Sequence, residues 1–328
     1  MPTPRVISLV PSATEILCLI GAQDLLVARS HECDFPQGLA HLPALTGPAT
    51  SGVDPAAIDR QVREALASGA SLYHLDTDRL RALKPDLIIT QDMCEVCSID
   101  LASVRAAADS CTPPARILPL NPHSVEDVLD DILRVGEAVG RVPAARKAVV
   151  DLRARFFTAQ EYVNPYSQAP TVGFLEWTDP LFCAGHWSVQ LIERAGGLHP
   201  WNPTVPRPNA GDAAGPQQGE RVAGKSVRMP PEVFAAMRPD FLIIAPCGVE
   251  LSVAQQHARA LTEQPWWGAL PAVRDGRVAV VDGNQMFNRP GPRLADAFEW
   301  MVGFLNDRPD LMPRDFPWIR LPKPTLDR

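Results

Sequence analysis

A short motif occurs twice in this chain, and it limits the possible folds more than any other feature. Residues 80–90 read Leu-Arg-Ala-Leu-Lys-Pro-Asp-Leu-Ile-Ile-Thr, and residues 234–245 read Phe-Ala-Ala-Met-Arg-Pro-Asp-Phe-Leu-Ile-Ile-Ala. Each copy joins the end of an amphipathic helix to a basic-Pro-Asp turn and then to a continuous apolar run. A proline bars the residue before it from αR geometry, so the helix must stop there. The apolar run that follows is the pattern of a strand covered on both faces, as strands of a parallel sheet are.

The segments ahead of the motif echo each other as well. Val6–Val10 reads as a strand, followed by a Pro-Ser-Ala-Thr-Glu turn and a helix through Ile20 that Gly21 ends. Thr171–Leu175 reads as a second strand, followed by a loop and a helix from about Val189 to Ala195, ended by Gly196-Gly197. Each half is therefore expected to run strand, helix, strand, helix, strand, as parallel α/β units do. Helical sequence lies between the halves. Ser124 is placed to cap a helix carrying Val128, Leu129, Ile132, Leu133 and Val135, and Gly140 with Pro143 breaks it. A second helix is expected from Pro143 to about Tyr162, and twenty helical residues span roughly 30 Å. The expected division is a first α/β lobe over 1–142, a connecting helix over 143–162 and a second lobe over 163–306. Residues 199–226, rich in Pro, Gly, Asn and Gln, are expected to form a long surface loop within the second lobe. Residues 307–328 are expected to be a proline-rich tail lying on the surface or disordered.

A length of 328 residues suits two such lobes. The formal net charge of -7 argues against a nucleic-acid binder, which needs a basic face. No run approaches the roughly 18 apolar residues of a membrane-spanning helix, so no membrane insertion is expected. Met-Pro-Thr-Pro leads straight into the first strand without a charged and then apolar leader, and the seven cysteines are an odd number. Both features fit a reducing compartment, so a cytoplasmic location is expected, or a periplasmic or extracellular one if a leader has been removed.

In open α/β units, ligands gather at the carboxyl ends of the strands, so the residues just after each predicted strand are the candidates for a site. Ser12 either forms a capping box with Glu15 or lies against a ligand. His31, Cys33, Cys94 and Cys97 follow two strands of the first lobe. They are either a soft tetrahedral set for zinc or another thiophilic ion, or reduced thiols beside a hydrogen-bonded histidine. Gln91 and Asp92 stand on the same rim, and Tyr73 either walls the cleft or caps a helix beginning near Thr77. In the second lobe Trp177 is a ligand-stacking or a core residue. Gly185-His186-Trp187 read as a ligand contact, the glycine allowing close backbone approach. Asn288, Arg289 and Arg293 lie in a proline-stiffened loop where the arginines can hold carboxamide or phosphate oxygens, or where Arg293 pairs with Asp296. There is no phosphate-binding glycine loop, nucleophile elbow or HExxH motif. An enzyme is therefore not expected, although Cys94 and Cys97 with Glu95 leave a thiol- or metal-dependent activity on a cofactor precursor as an alternative.

Several of these stretches together resemble the cobalamin-binding branch of the substrate-binding proteins that serve ABC importers. They are RVISLVPSATE, SHECDFP, SLYHLDTDRLRALKPDLIITQDMCEVC, EWTDPLFCAGHW and FNRPGPRL, in that order along residues 5–305. The resemblance implies two Rossmann-like lobes joined by a single long helix (the class III periplasmic-binding-protein arrangement), with a corrinoid held between the lobes. It implies that Tyr73, Trp187 and the residues after Ile89 line the cleft. It also implies an acidic residue on each lobe for docking on an ABC importer, for which Glu95 and Glu232 are the candidates. Haem, a siderophore, or a zinc or iron ion held by the Cys/His set are the alternative ligands.

Overall fold

The computed structural model describes residues 3–92, 99–208 and 221–323. Its internal contacts divide the chain into two units. The first is Met1–Gly52, Ala57–Pro122 and Glu126–Leu152; the second is Arg153–Arg328 with the short segments Val53–Ala56 and His123–Val125.

The first unit contains β1 (Val6–Ser8), α1 (Pro11–Leu19), β2 (Leu26–Arg29), β3 (Thr46–Pro48), α2 (Pro55–Ser68), β4 (Tyr73–Leu75), α3 (Thr77–Ala82), β5 (Leu87–Gln91), α4 (Leu101–Asp109), β6 (Arg116–Leu120) and α5 (Val125–Ala138). Then α6 (Val142–Gln160) begins here, and the division falls within it, after Leu152. The strands β2, β1, β5 and β6 form one sheet in that order, every neighbouring pair parallel. Ile7, Ala28, Ile88, Leu80 and Val104 pack as its core. β3 and β4 form a separate antiparallel pair. At α1 the structure corrects an expectation. Pro11 occupies the first turn and Val10 is the N-cap without a side-chain bond, so Ser12 lies inside the helix and makes no capping box with Glu15. Proline's fixed φ suits that first helical position, which draws the start of the helix one residue upstream of Ser12.

The second unit holds β7 (Val172–Thr178), β8 (Leu181–Cys183), α7 (His186–Arg194), β9 (Val205–Pro206), β10 (Arg221–Val222), β11 (Val227–Arg228), α8 (Pro231–Ala236), β12 (Phe241–Ile244), α9 (Leu251–Thr262), α10 (Pro271–Asp275), β13 (Val278–Val281), α11 (Leu294–Leu305) and β14 (Trp318–Arg320). Its sheet runs β11-β8-β7-β12-β13-β14. The central β7, β12 and β13 are parallel, while β8, β11 and β14 join antiparallel. The strand expected after α7 is reduced to a single bridge between Thr171 and Leu198. The hairpin strand β8 takes that edge of β7 instead.

The repeated motif is repeated in the backbone, atom for atom. Lys84 and Arg238, the residues before the two prolines, have φ of 46° and 49°. Denied αR by the following proline, each takes the left-handed conformation that ends a helix. The next aspartate then ties the turn to the head of the first strand. Asp86 N donates to Arg5 O (2.9 Å) while Arg5 N donates to the Asp86 carboxylate (2.7 Å). Asp240 N donates to Thr171 O (2.8 Å) while Thr171 N donates to the Asp240 carboxylate (2.8 Å).

Two expectations are corrected in the second unit. As far as residue 323, the chain after 307 is neither disordered nor merely laid on the surface, because β14 pairs with β13 and Phe316 and Trp318 pack on the rings of Trp300 and Phe304. Prolines exclude a helix there but are tolerated beside an edge strand, and the aromatic residues between them supply buried area. Within 199–226, His199, Trp201 and Thr204 are buried and β9 pairs with β10, so that stretch is anchored as far as residue 208.

Candidate functional site

In the first unit the parallel strands carry the chain to one rim. There Ser8 Oγ donates to Val10 O (3.0 Å), and Thr14 Oγ1 donates to Ser8 Oγ (2.8 Å). The Cys33 sulfur lies 3.0 Å from that same Thr14 oxygen and is buried. His31 is half-buried, its Nδ1 2.8 Å from Thr46 Oγ1 and its ring 5.9 Å from the ring of Tyr73. Burial, and after it the Arg29 guanidinium, hold the imidazole below its usual pKa. Tyr73 sits on β4, opposite Pro48 of β3 in register, and is half-buried. Gln91 ends β5 and is buried, whereas Asp92 is exposed and its N–H donates to Asn121 Oδ1 (2.7 Å).

Cys94, Cys97 and Glu95 lie outside the described residues. Among the described residues no group of three or more His, Cys, Asp or Glu side chains comes together as a metal site. Cys33 faces the Thr14 hydroxyl and the Ser8 carbonyl, and His31 faces the Thr46 hydroxyl, so the described half of the expected metal set is engaged with oxygen groups of the protein.

In the second unit, β7 delivers Glu176, Trp177 and Thr178 to the carboxyl-end rim, and the β8 hairpin returns the chain to Gly185 and α7. Gly185 is needed for close approach, but to the chain's own backbone. A Cβ there would overlap Ser226 N and come within 2.6 Å of the Lys225 carbonyl carbon and 2.7 Å of Gly224 O. The contact is locked on both sides. His186 N donates to Gly224 O (2.9 Å), and the Glu176 carboxylate accepts from Gly185 N (3.3 Å) and from Ser226 Oγ.

His186 itself has φ of 50°, a conformation rare for a residue with a large side chain. Its ring stacks on Trp187 (5.5 Å, 21°) and lies 5.5 Å from the ring of His123. Its pKa is pushed down to about 4 by burial first, then by the electrostatic effect of His123 and of Lys225. Trp187 is buried, and its indole N–H donates to Phe287 O (2.6 Å). It therefore backs the His186 ring. Trp177 is half-buried, sharing its indole N–H between Pro55 O (3.2 Å) and Asp179 O (3.1 Å), with the edge of His257 at 6.0 Å. His257 holds Val53 O through Nε2 (2.8 Å). Both contacts lie within the second unit, where they clip Val53–Ala56 in place.

The loop before α11 is built from the inside. Asn288 donates to Ala245 O (3.1 Å) and Gly283 O (2.8 Å), Arg289 to Asn284 Oδ1 (3.1 Å), and Arg293 to Gln285 Oε1 (2.5 Å). Both arginines are buried. Asp296, the expected surface partner of Arg293, is bound to Arg155 instead (2.5 Å), which Glu299 also holds (2.7 Å). Glu232 is exposed in the first turn of α8.

The residues that sequence reading missed are His123, Lys225 and His257. None sits after a predicted strand, and His123 is far from His186 in sequence. Only the packing of a short crossing segment and of the stretch near Lys225 onto the second unit brings them in.

A family model described as periplasmic binding protein matches residues 6–284. The vitamin B12-binding protein of Vibrio cholerae is 24% identical over 308 residues, 93% of this chain and 90% of that protein. An ABC transporter substrate-binding lipoprotein of Bacillus subtilis is 24% identical over 298 residues, 90% of this chain and 77% of that protein. Among solved structures, a periplasmic haem-binding protein of Pseudomonas aeruginosa superposes with a TM-score of 0.66 at 20% identity, covering 99% of this chain and 96% of that one. The periplasmic vitamin B12-binding protein of Vibrio cholerae gives 0.63 at 21% identity, covering 94% and 98%. The fold is thus the two-lobed class III periplasmic-binding-protein fold, and proteins of this kind bind substrates rather than turn them over. The expectation of a cytoplasmic location has no support among these relatives, which are named as periplasmic proteins or as a lipoprotein. No described helix is long and apolar enough to cross a membrane.

Proposed function

We propose that this chain, which belongs to the periplasmic binding protein family, is the substrate-binding component of an ABC importer for a large flat macrocycle, a corrinoid before all others. The observation that carries this reading is the ring-lined rim of the second unit. There Trp177 and His186 are half-buried, and His186 is braced from behind by the buried Trp187. Trp177, held by hydrogen bonds to backbone, and His186, stacked on Trp187, offer a rigid apolar face at little entropic cost, which suits an extended π-system. In the first unit, Tyr73 beside His31 presents a comparable ring pair on β4. Gln91, Asp92 and the backbone near Ser12 are proposed as polar contacts. Asn288, Arg289 and Arg293 are proposed to shape the second rim, because their polar ends already hold the loop together and tie it to the end of β12. A place outside the cytoplasmic membrane fits the importer role, with the exposed Glu232 as one docking acid.

Haem is the second reading, favoured by the superposition on a haem-binding protein. Titration with hydroxocobalamin and, separately, haemin, followed by absorbance and calorimetry, tests both. A one-to-one corrinoid complex of micromolar affinity or better is expected, weakened about tenfold by Trp177→Ala, the worth of roughly 1.4 kcal/mol of ring contact. Tight haemin binding with no corrinoid binding would establish the second reading. Binding of neither would end both.

A further inference from the structure

The rim of the second unit carries an imidazole whose two nitrogens are treated differently. Nδ1 of His186 is buried and has no hydrogen-bond partner among the described residues. Nε2 is not among the buried unpartnered atoms, and no described residue bonds it, so it opens to solvent. A neutral imidazole carries one proton and one bare lone pair. Placing the proton on Nδ1 would bury an N–H without an acceptor, a situation native structures rarely tolerate, while an under-satisfied lone pair is met more often. After burial, His123 and Lys225 act electrostatically against a positive charge on the His186 ring, which keeps it neutral. The nearby Glu176 carboxylate is already engaged with Gly185 N and Ser226 Oγ.

His31, in the first unit, reaches the same state by a different route. Thr46 Oγ1 accepts the His31 backbone N–H (3.1 Å) and stands 2.9 Å from Ser30 Oγ and 2.8 Å from His31 Nδ1. One assignment gives both hydroxyl protons an acceptor within this set of bonds. Ser30 donates to Thr46, and Thr46 donates its single proton to a bare Nδ1. The proton of His31 is then on Nε2 as well.

We propose that His186, and independently His31, are fixed as neutral Nε2–H imidazoles that donate to carbonyl-type oxygens on the ligand, and that neither is a ligand to a metal at the ligand's centre. A histidine that coordinates through Nε2 must carry its proton on Nδ1 and hand it to an acceptor behind the ring. His186 has no such acceptor among the described residues, and His31 has a donor in its place. The oxygens concerned are the carboxamides that rim a corrinoid or the carboxylates of a porphyrin, and their shared chemistry is a strong acceptor at the edge of a macrocycle. The proton assignment stands on the structure alone; its use on a ligand rests on the macrocycle reading above.

Two measurements separate these parts. Long-range proton–nitrogen spectra of ligand-free protein labelled at histidine nitrogen, assigned with His186→Gln and His31→Gln, are expected to show the Nε2–H pattern for both residues at pH 7.5. An Nδ1–H or averaged pattern at His186 overturns the proposal whatever the ligand proves to be. Titration then compares hydroxocobalamin, whose axial water exchanges for nitrogen donors, with cyanocobalamin, whose cyanide does not. Affinities within about threefold of each other are expected, with no shift of the hydroxocobalamin bands on binding. His186→Leu is expected to lose about tenfold and His186→Gln, which keeps a donor at the Nε2 position, about threefold at most, the size of one neutral hydrogen bond. Shifted bands with hydroxocobalamin tighter by tenfold or more would mean coordination and sink the proposal, as would equal losses in the two variants. If neither corrinoid binds, the corrinoid reading falls and the same contrast is run with haemin and metal-free protoporphyrin IX. Comparable affinities are then expected, and a requirement for the iron would refute the donor role.

Discussion

The two units enter their sheets by the same device and leave them by different ones. At the entry, Lys84-Pro85-Asp86 and Arg238-Pro239-Asp240 share a left-handed residue, a proline and a carboxylate that ties back to the first strand. At the exit, β1 reaches α1 through Leu9 and Val10 alone, and the rim is held by small hydroxyl and thiol groups on Ser8, Thr14 and Cys33. β7 instead runs through a hairpin, and its rim is held by backbone packed on Gly185 and by rings. The difference teaches where the information lies. The entry is dictated by three consecutive residues, so it can be copied with them. The exit depends on contacts from distant segments, so each unit has its own.

The comparison breaks most visibly at Gly185. Gly185→Ala forces a methyl into the backbone of Gly224, Lys225 and Ser226, which cannot move aside as a flexible side chain can. A loss of about 3 kcal/mol is expected, at the upper end of overpacking costs, measured as a lower urea midpoint. Ser12→Ala, at the matching exit of the first unit, removes a hydroxyl inside a formed helix turn and is expected to cost far less. Equal losses would mean that the two rims are built alike after all.

Acid is expected to act on the second unit first. His199 is buried, with Nδ1–H donated to Val172 O (2.9 Å), and burial pushes its pKa down to about 4 from 6.5. The unfolded chain therefore binds more protons between those values. Stability is full above about pH 6.5 and falls as the pH drops towards 4, by up to about 3 kcal/mol. In the first unit Asp131 works in the opposite sense. Burial lifts its carboxyl to about 6, so its contribution is present in acid and is lost as the pH rises through that value. Urea midpoints taken from pH 7 to pH 4.5 should fall for the parent protein and fall roughly half as far for His199→Gln, because His186, held down to about 4 in the same way, supplies the rest. An unchanged slope in the variant would show that His199 is not the group being protonated.

How much of this was legible in the sequence follows the same divide. The strands, the helices and the doubling were readable because proline geometry and apolar periodicity act over a few residues. The capping box at Ser12 was misread because Pro11 suits the first helical position and moves the start of the helix. The chain after residue 307 was misread because its prolines mask the alternation of Phe316, Trp318 and Arg320, and an edge strand forms only once β13 offers a partner. At the rim, position after a strand singled out Trp177, His186 and Trp187, but not that Trp187 is the buried support and His186 the half-buried ring stacked on it. The loop with Arg289 and Arg293 reads as anion-binding until Gln285 and Asn284 are seen to occupy it. His123 and Lys225 carry no local signal at all.

The entry turns allow the most direct test of the likeness, because the same change can be made in both. Asp86→Ala and Asp240→Ala each remove a carboxylate that accepts one backbone N–H, from Arg5 at 2.7 Å and from Thr171 at 2.8 Å. A hydrogen bond to a charged acceptor is worth about 1.5 kcal/mol or somewhat more, so losses of about that size are expected for each. Asp240 is the less exposed of the two, and Asp86 the more open to water, so any difference should fall on the side of Asp240. Replacement by Asn keeps an acceptor oxygen and should recover part of the loss in both. The two sites are distant in sequence and share no partner, so the double variant should lose the sum. A loss at one turn with none at the other would show that the shared residues are only a resemblance of sequence, and that one of the two sheets is anchored at its start by other contacts.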